Sequence, residues 1–229
     1  MLVSRISCLA DRPLTRVRAW AAVIASVVAL FMVPSAIATD IDSQLGAPLT
    51  KRVRPTLGSP DAPIVVIEVR SFKCPHCRAF HQRVFPELRE RHINSGKIHW
   101  VSINATPDAP DINAAAFTLA RCALQLGVYP QVETFLFQNG ARSSSFLYSR
   151  ASSLEGVNAS EFDACVRHAD VLREVREDFA EVTALKVTVL PTFILRKRKP
   201  DGSFVETRIE GYPQADYFDR VLAELQAKP

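Results

Sequence analysis

Two cysteines three apart, Cys74 and Cys77, stand in "RSFKCPHCRAF" (70–80) with Pro75 and His76 between them, directly after an apolar run. Thiol–disulfide exchange needs one exposed thiolate that attacks and a second thiol close enough to resolve the mixed disulfide. A CxxC on the first turn of a helix supplies both. Pro75 falls where the first helical position would be, which proline tolerates well, so Cys74 is predicted at or near the N-cap. The unpaired N–H groups of that turn and the positive end of the helix dipole then favour its thiolate. His76 can donate to the same sulfur or carry positive charge beside it. Stabilising the thiolate stabilises the reduced form and makes the disulfide a stronger oxidant. Cys77, one turn further in, is expected to be less exposed and to act as the resolving thiol.

Two other positions belong with this pair. Glu68 lies in the middle of the apolar run, where a buried carboxylate is costly without a purpose. Beneath the disulfide its pKa would be raised, and it could take and return the proton of Cys77; the alternative is a carboxylate in water at a sheet edge. Pro191, in "VTVLPTF" (187–193), cannot donate to a sheet ladder and so marks an edge or an irregularity. A cis Leu190–Pro191 bond is the hypothesis. Beside the CxxC, such a loop would offer backbone groups to an extended substrate segment.

Of the five cysteines, Cys8 lies in an N-terminal segment with the marks of a signal peptide. That segment has Arg5, Arg12, Arg16 and Arg18, then the apolar run 19–33, then "PSAIA" ending in small residues. Cleavage after Ala38 is expected, with an uncleaved membrane anchor as the alternative. Cys122 and Cys165 then remain as a second pair, forty-three residues apart. In an oxidising compartment a disulfide between them is expected, worth about 4 kcal/mol in the loop-closure model; two buried free thiols are the alternative. A metal site built on Cys74, Cys77 and His81 competes with the redox reading. Structural zinc normally takes a fourth ligand from a second cluster, and there is no second CxxC. No metal is therefore expected, and His81, His92, His99 and His168 read as ordinary surface or partly buried histidines.

The elements that must position these residues follow from the pattern. The 229 residues suffice for one well-buried domain with an inserted subdomain. Removing residues 1–38 takes away four Arg and one Asp and leaves 24 basic against 23 acidic residues, which argues against nucleic acid as a partner. The cluster "RKRK" (196–199) beside the turn "KPDG" reads as a solvated hairpin end. A Pro- and Gly-rich leader is followed by "IVVIEVRS" (64–71), a strand buried on both faces. A helix from Cys74 runs towards Gly96 with a kink or break at Pro86, and "KIHWVSIN" (97–104) completes a βαβ unit. From Asp111 to about Leu185 the period is helical, interrupted by a Ser-rich joint at 143–153. A hairpin and an amphipathic C-terminal helix close the chain. The order βαβ, helical insert, ββα predicts an α/β fold with a mixed central sheet. Its parts are a leader at 39–60, a sheet domain at 61–106 and 187–229, and an all-helical insertion at 107–186.

"VIEVRSFKCPHCRAF", the later "VLPTF" and this order of elements resemble the DsbA family of exported thioredoxin-fold thiol:disulfide oxidoreductases, over about residues 58–227. The resemblance implies a thioredoxin fold and a donor of disulfides to exported proteins as they fold. It assigns attack to Cys74, resolution to Cys77, thiolate stabilisation to His76, proton handling to Glu68 and the cis-proline to Pro191. It also implies a membrane re-oxidising partner of the DsbB or VKOR-like kind, with no cofactor of the protein's own. Leu190 departs from the Val or Thr common before the family's proline, which bears on substrate preference and redox tuning. A disulfide isomerase or reductase of the same fold, a copper-handling protein and a non-catalytic module are the alternatives. Only about twenty-five residues separate the signal from the first strand, too few for an N-terminal dimerisation domain, so a periplasmic monomeric oxidase is expected.

Overall fold

The computed structural model describes residues 53–104 and 110–228. The expected signal peptide, with Cys8, and most of the leader lie outside the described residues. Among the described residues five strands form one mixed sheet: β1 (Thr56–Leu57), β2 (Ile64–Arg70), β3 (Ile98–Asn104), β4 (Thr192–Arg198) and β5 (Phe204–Glu210), in the order β1-β3-β2-β4-β5. β2 runs parallel to β3 and antiparallel to β4, and β4 pairs with β5 as an antiparallel hairpin. All seven residues of β2 are buried, which accounts for its near-continuous apolar run: with helices on both faces, neither side of the pleat meets water.

One face of the sheet is covered by α1 (Pro75–Arg83), α2 (Phe85–Leu88), a π-helical turn (Arg89–Ile93) and the C-terminal α8 (Ala215–Ala227). Phe80, Trp100, Phe193 and Phe218 meet there, with the Phe80 and Phe193 rings 4.6 Å apart. Fully burying each such ring is worth roughly 1.5–3 kcal/mol, so α1 is held against the sheet by its own Phe80. Between β3 and β4 the described residues form five helices: α3 (Pro110–Gln125), α4 (Tyr129–Asn139), α5 (Ser144–Ala151), α6 (Ala159–Val166) and α7 (Ala169–Ala184). The end of α7, with Val182, Leu185 and Val187, packs on the other sheet face against Val65, Ile67 and Ile194. The mixed sheet with its helical insert is the α/β thioredoxin fold expected from the order of elements.

Several local expectations need correcting. The expected break in the helix after Cys74 falls at Val84, two residues before Pro86, because Pro86 occupies the first turn of α2, where its missing N–H does no harm. Part of the leader is structural. Thr56–Leu57 pairs with β3 at the sheet edge, and the buried Arg54 guanidinium pairs with Asp178 and Glu181 of α7, with Arg121 of α3 sharing Asp178. The Ser-rich joint contains a helix: Ser143 caps α5 by accepting from the Phe146 N–H, and Leu147 and Ala151, four apart, face inwards. "RKRK" is not a solvated end. Arg196 is buried against Glu206 (2.8 Å), and Lys197 Nζ donates to the carbonyls of Gln226 and Lys228 at the end of α8. Arg198 lies over the Phe204 ring. Finally, of the two readings of Pro191 the irregularity holds and the edge does not: Pro191 follows a cis bond and immediately precedes β4, which has β2 on one side and β5 on the other.

Candidate active site

Cys74 is the N-cap of α1, with extended backbone (φ −73°, ψ 118°), and Pro75 opens the helix. That geometry turns the free N–H groups of the first turn towards the cap side chain. The Cys77 amide donates to Cys74 Sγ at 3.3 Å. Cys74 is partly exposed, whereas Cys77 has no exposure at all and joins the hydrophobic cluster of the helical insert. The loop that leads into Cys74 is seated by Gly140 at the end of α4. A Cβ there would stand 2.5 Å from the Phe72 carbonyl oxygen, so only glycine permits this approach.

The two thiols are driven in opposite directions. The Cys77 thiol as hydrogen-bond donor pulls Cys74 down to about 6 against its partial burial, with help from the backbone N–H groups of Cys77 and His76 and the charge of His76. Burial pushes Cys77 up, and the neighbouring Cys74 sulfur and the Glu68 charge add to the push. His76 itself is exposed on the first turn. The Leu190–Pro191 bond is cis, and the Leu190 carbonyl lies 3.6 Å from Cys74 Sγ. Cys74, His76, Cys77, Leu190 and Pro191 therefore gather around one partly exposed sulfur.

Glu68 is fully buried in β2, as the residues around it suggest, but its electrostatics run opposite to expectation. Burial raises its pKa, yet the facing His81 and Arg70, with hydrogen bonds from His81 and Trp100, bring the carboxyl below its ordinary value. Oε1 lies 2.7 Å from His81 Nε2, and Oε2 accepts from Trp100 Nε1 (3.2 Å) and Arg70 (3.3 Å). Glu68 is thus held ionised, because its partners are donors and cations rather than apolar groups. Arg70, also buried, extends the network: it donates to Asn104 (2.9 Å) and Tyr129 (2.9 Å) and pairs with Glu133 of α4. His81 is not an ordinary histidine: besides meeting Glu68, its ring stacks on Phe137 at 4.3 Å. Two spacings point to this network: Glu68 and Arg70 are two apart on one strand and share a face, and His81 follows Cys77 by four on one helix.

The second cysteine pair is bonded, Cys122 of α3 to Cys165 of α6, with Cα atoms 5.8 Å apart. Among the described residues there is no cluster of three or more His, Cys, Asp or Glu side chains arranged to hold a metal ion, and no helix long and apolar enough to cross a membrane.

A family model described as thioredoxin matches residues 50–210. The chain belongs to the thioredoxin family. Within this family, its fold is similar to that of a point variant of Wolbachia pipientis α-DsbA1, with a TM-score of 0.62 and 25% identity, covering 80% of this chain and 94% of that one. BdbD from Bacillus subtilis in its oxidised form shares the thioredoxin fold at a TM-score of 0.56 and 18% identity, covering 76% and 94%. In sequence, the chain is 31% identical over 115 residues to a Rickettsia felis protein named "Putative protein-disulfide oxidoreductase", covering 48% of this chain and 41% of that one. It is 35% identical over 63 residues to disulfide bond formation protein D of Bacillus subtilis, 28% of each. The chain thus spans less than half the length of the curated relatives it matches.

Proposed function

We propose that this thioredoxin-family protein is an exported thiol:disulfide oxidoreductase that donates the Cys74–Cys77 disulfide to cysteine-bearing proteins as they fold. The carrying observation is the asymmetry of the pair: a partly exposed Cys74 pulled down to about 6 beside a fully buried Cys77 pushed the other way. In the forward step, a substrate thiolate bonds to Cys74 Sγ, the Cys74–Cys77 bond breaks, and the electron pair leaves on Cys77. A second substrate thiol then displaces Cys74, whose stabilised thiolate is a good leaving group. The substrate is oxidised and the cysteine pair reduced. His76 stabilises the Cys74 thiolate, Leu190 and Pro191 form the wall against which an extended substrate segment lies, and Glu68 acts on Cys77 through its charge. Export rests on the N-terminal segment, and re-oxidation falls to a membrane partner of the DsbB or VKOR-like kind, in keeping with the likeness to DsbA proteins.

The test is the reduction potential of the pair, measured by equilibration with glutathione, together with oxidative refolding of a reduced secreted protein. An oxidising potential with stoichiometric disulfide transfer supports the donor. A potential near that of thioredoxin, about −270 mV, would assign the chain to the reductases.

A further inference from the structure

We propose that His81 is a positioning residue that controls proton exchange at buried Glu68 and so connects the redox pair to solvent through the groove between α1 and α4; this rests on the exchange reaction proposed above. Glu68 has no surface open to solvent, so a proton from bulk water reaches it through a neighbour. Two of its partners cannot relay one: the Arg70 guanidinium and the Trp100 indole only donate. His81 is the remaining hydrogen-bond partner among the described residues, with Nε2 2.7 Å from Oε1. The 9% of the His81 side chain that stays exposed opens into a groove of about 530 Å³ lined by Phe85, Phe137 and Glu133 among others.

The contacts of Nε2 describe a two-position device. Nε2 lies 2.9 Å from Arg70 Nη1 as well as 2.7 Å from Glu68. It cannot give a proton to Glu68 and accept one from Arg70 at the same time. With Glu68 ionised, Nε2–H donates to Oε1. Once that proton has moved to Oε1, the bare Nε2 lone pair accepts from Arg70, and Nδ1 carries a proton taken from water in the groove. One proton enters at Nδ1 and one leaves at Nε2, so the ring ends as it began in charge. As the Cys74–Cys77 bond breaks, this transfer removes the negative charge that opposes an electron pair on Cys77 and brings in the proton that balances it. The charged groups facing His81 are Glu68 and Arg70 from β2, Glu133 from α4, and Arg89 and Glu90 across the groove.

The test is stopped-flow reduction of the oxidised protein by reduced glutathione from pH about 5 to 8. His81→Gln keeps a donor to Glu68 but cannot relay; its reduction rate is expected to fall about tenfold or more and to lose the wild-type pH profile, while the Cys74 thiolate titrates as before. In His81→Ala, added imidazole is expected to restore the rate, which a merely structural histidine would not allow. Nitrogen-15 NMR of the wild-type ring gives a reading independent of variant folding: Nε2 protonated, Nδ1 exchanging with solvent. A His81→Gln protein within twofold of wild type at every pH, no rescue of a folded His81→Ala, or a ring protonated only at Nδ1 overturns the proposal. A wild-type protein that exchanges no disulfide with glutathione instead overturns the proposed function, and this inference with it.

Discussion

The Cys77 amide points at Cys74 Sγ from 3.3 Å, so the buried cysteine of the pair also stabilises the thiolate of the partly exposed one. With Cys74 near 6 and Cys77 pushed up, reduction takes up two protons below that pH and one above it. The potential should therefore fall by about 59 mV per pH unit in acid and about 30 mV per unit above the break, since one proton per two electrons is about 30 mV. Equilibration with glutathione across pH locates the break, expected near 6. The same depressed thiol stabilises the folded reduced form above the ordinary thiol range, and that contribution is lost as pH falls through about 6.

Replacing Cys77 by Ala removes the side-chain donor that contributes most to lowering Cys74. The remaining thiol should titrate upwards from about 6 when followed by thiolate absorbance. It should also accumulate mixed disulfides with a disulfide-bonded substrate protein, visible on non-reducing gels: the Cys74 thiolate bonds to one substrate sulfur and releases the other as a thiolate, and Cys77 is no longer there to resolve the product.

Gly140→Ala puts a Cβ 2.5 Å from the Phe72 carbonyl, a backbone atom that cannot swing aside. Overpacking of this kind costs about 1–3 kcal/mol, read as a lowered denaturation midpoint. Because residues 72–74 must shift to make room, the Cys74 titration should move too, whereas an equally destabilising change elsewhere in α4 should leave it in place.

Serine at both Cys122 and Cys165 should destabilise the protein by about 4 kcal/mol in urea. Disulfide exchange at Cys74 should persist wherever the variant remains folded, since the second pair joins α3 to α6. Loss of exchange in a demonstrably folded variant would contradict the separation of the two pairs.

The parts of the fold set by short-range pattern are readable. β2 announces itself because a strand buried on both faces must be apolar throughout, and the Cys-Pro-His-Cys spacing places Cys74 at a helix start because proline suits the first turn. What escapes depends on partners distant in sequence. Glu68 reads as a carboxyl with a raised pKa because its strand is apolar, yet Arg70, His81 and Trp100 converge on it from β2, α1 and β3 and reverse the sign. Lys197 and Arg196 read as solvated because charge runs usually are; here the end of α8 and the neighbouring strand supply their acceptors. Thr56–Leu57 is too short to show a period and owes its strand to the open edge of β3.

Arg70 holds Glu68 on its own strand, Asn104 on β3, and Tyr129 and Glu133 on α4. For anyone recombining this protein with its relatives, the helical stretch between β3 and β4 is consequently not an interchangeable cassette. A graft that omits the Tyr129 and Glu133 counterparts would strand a buried guanidinium a few ångströms from the carboxylate that acts on Cys77. Across natural variants, Arg70 and Glu133 should accordingly be gained or lost as a pair.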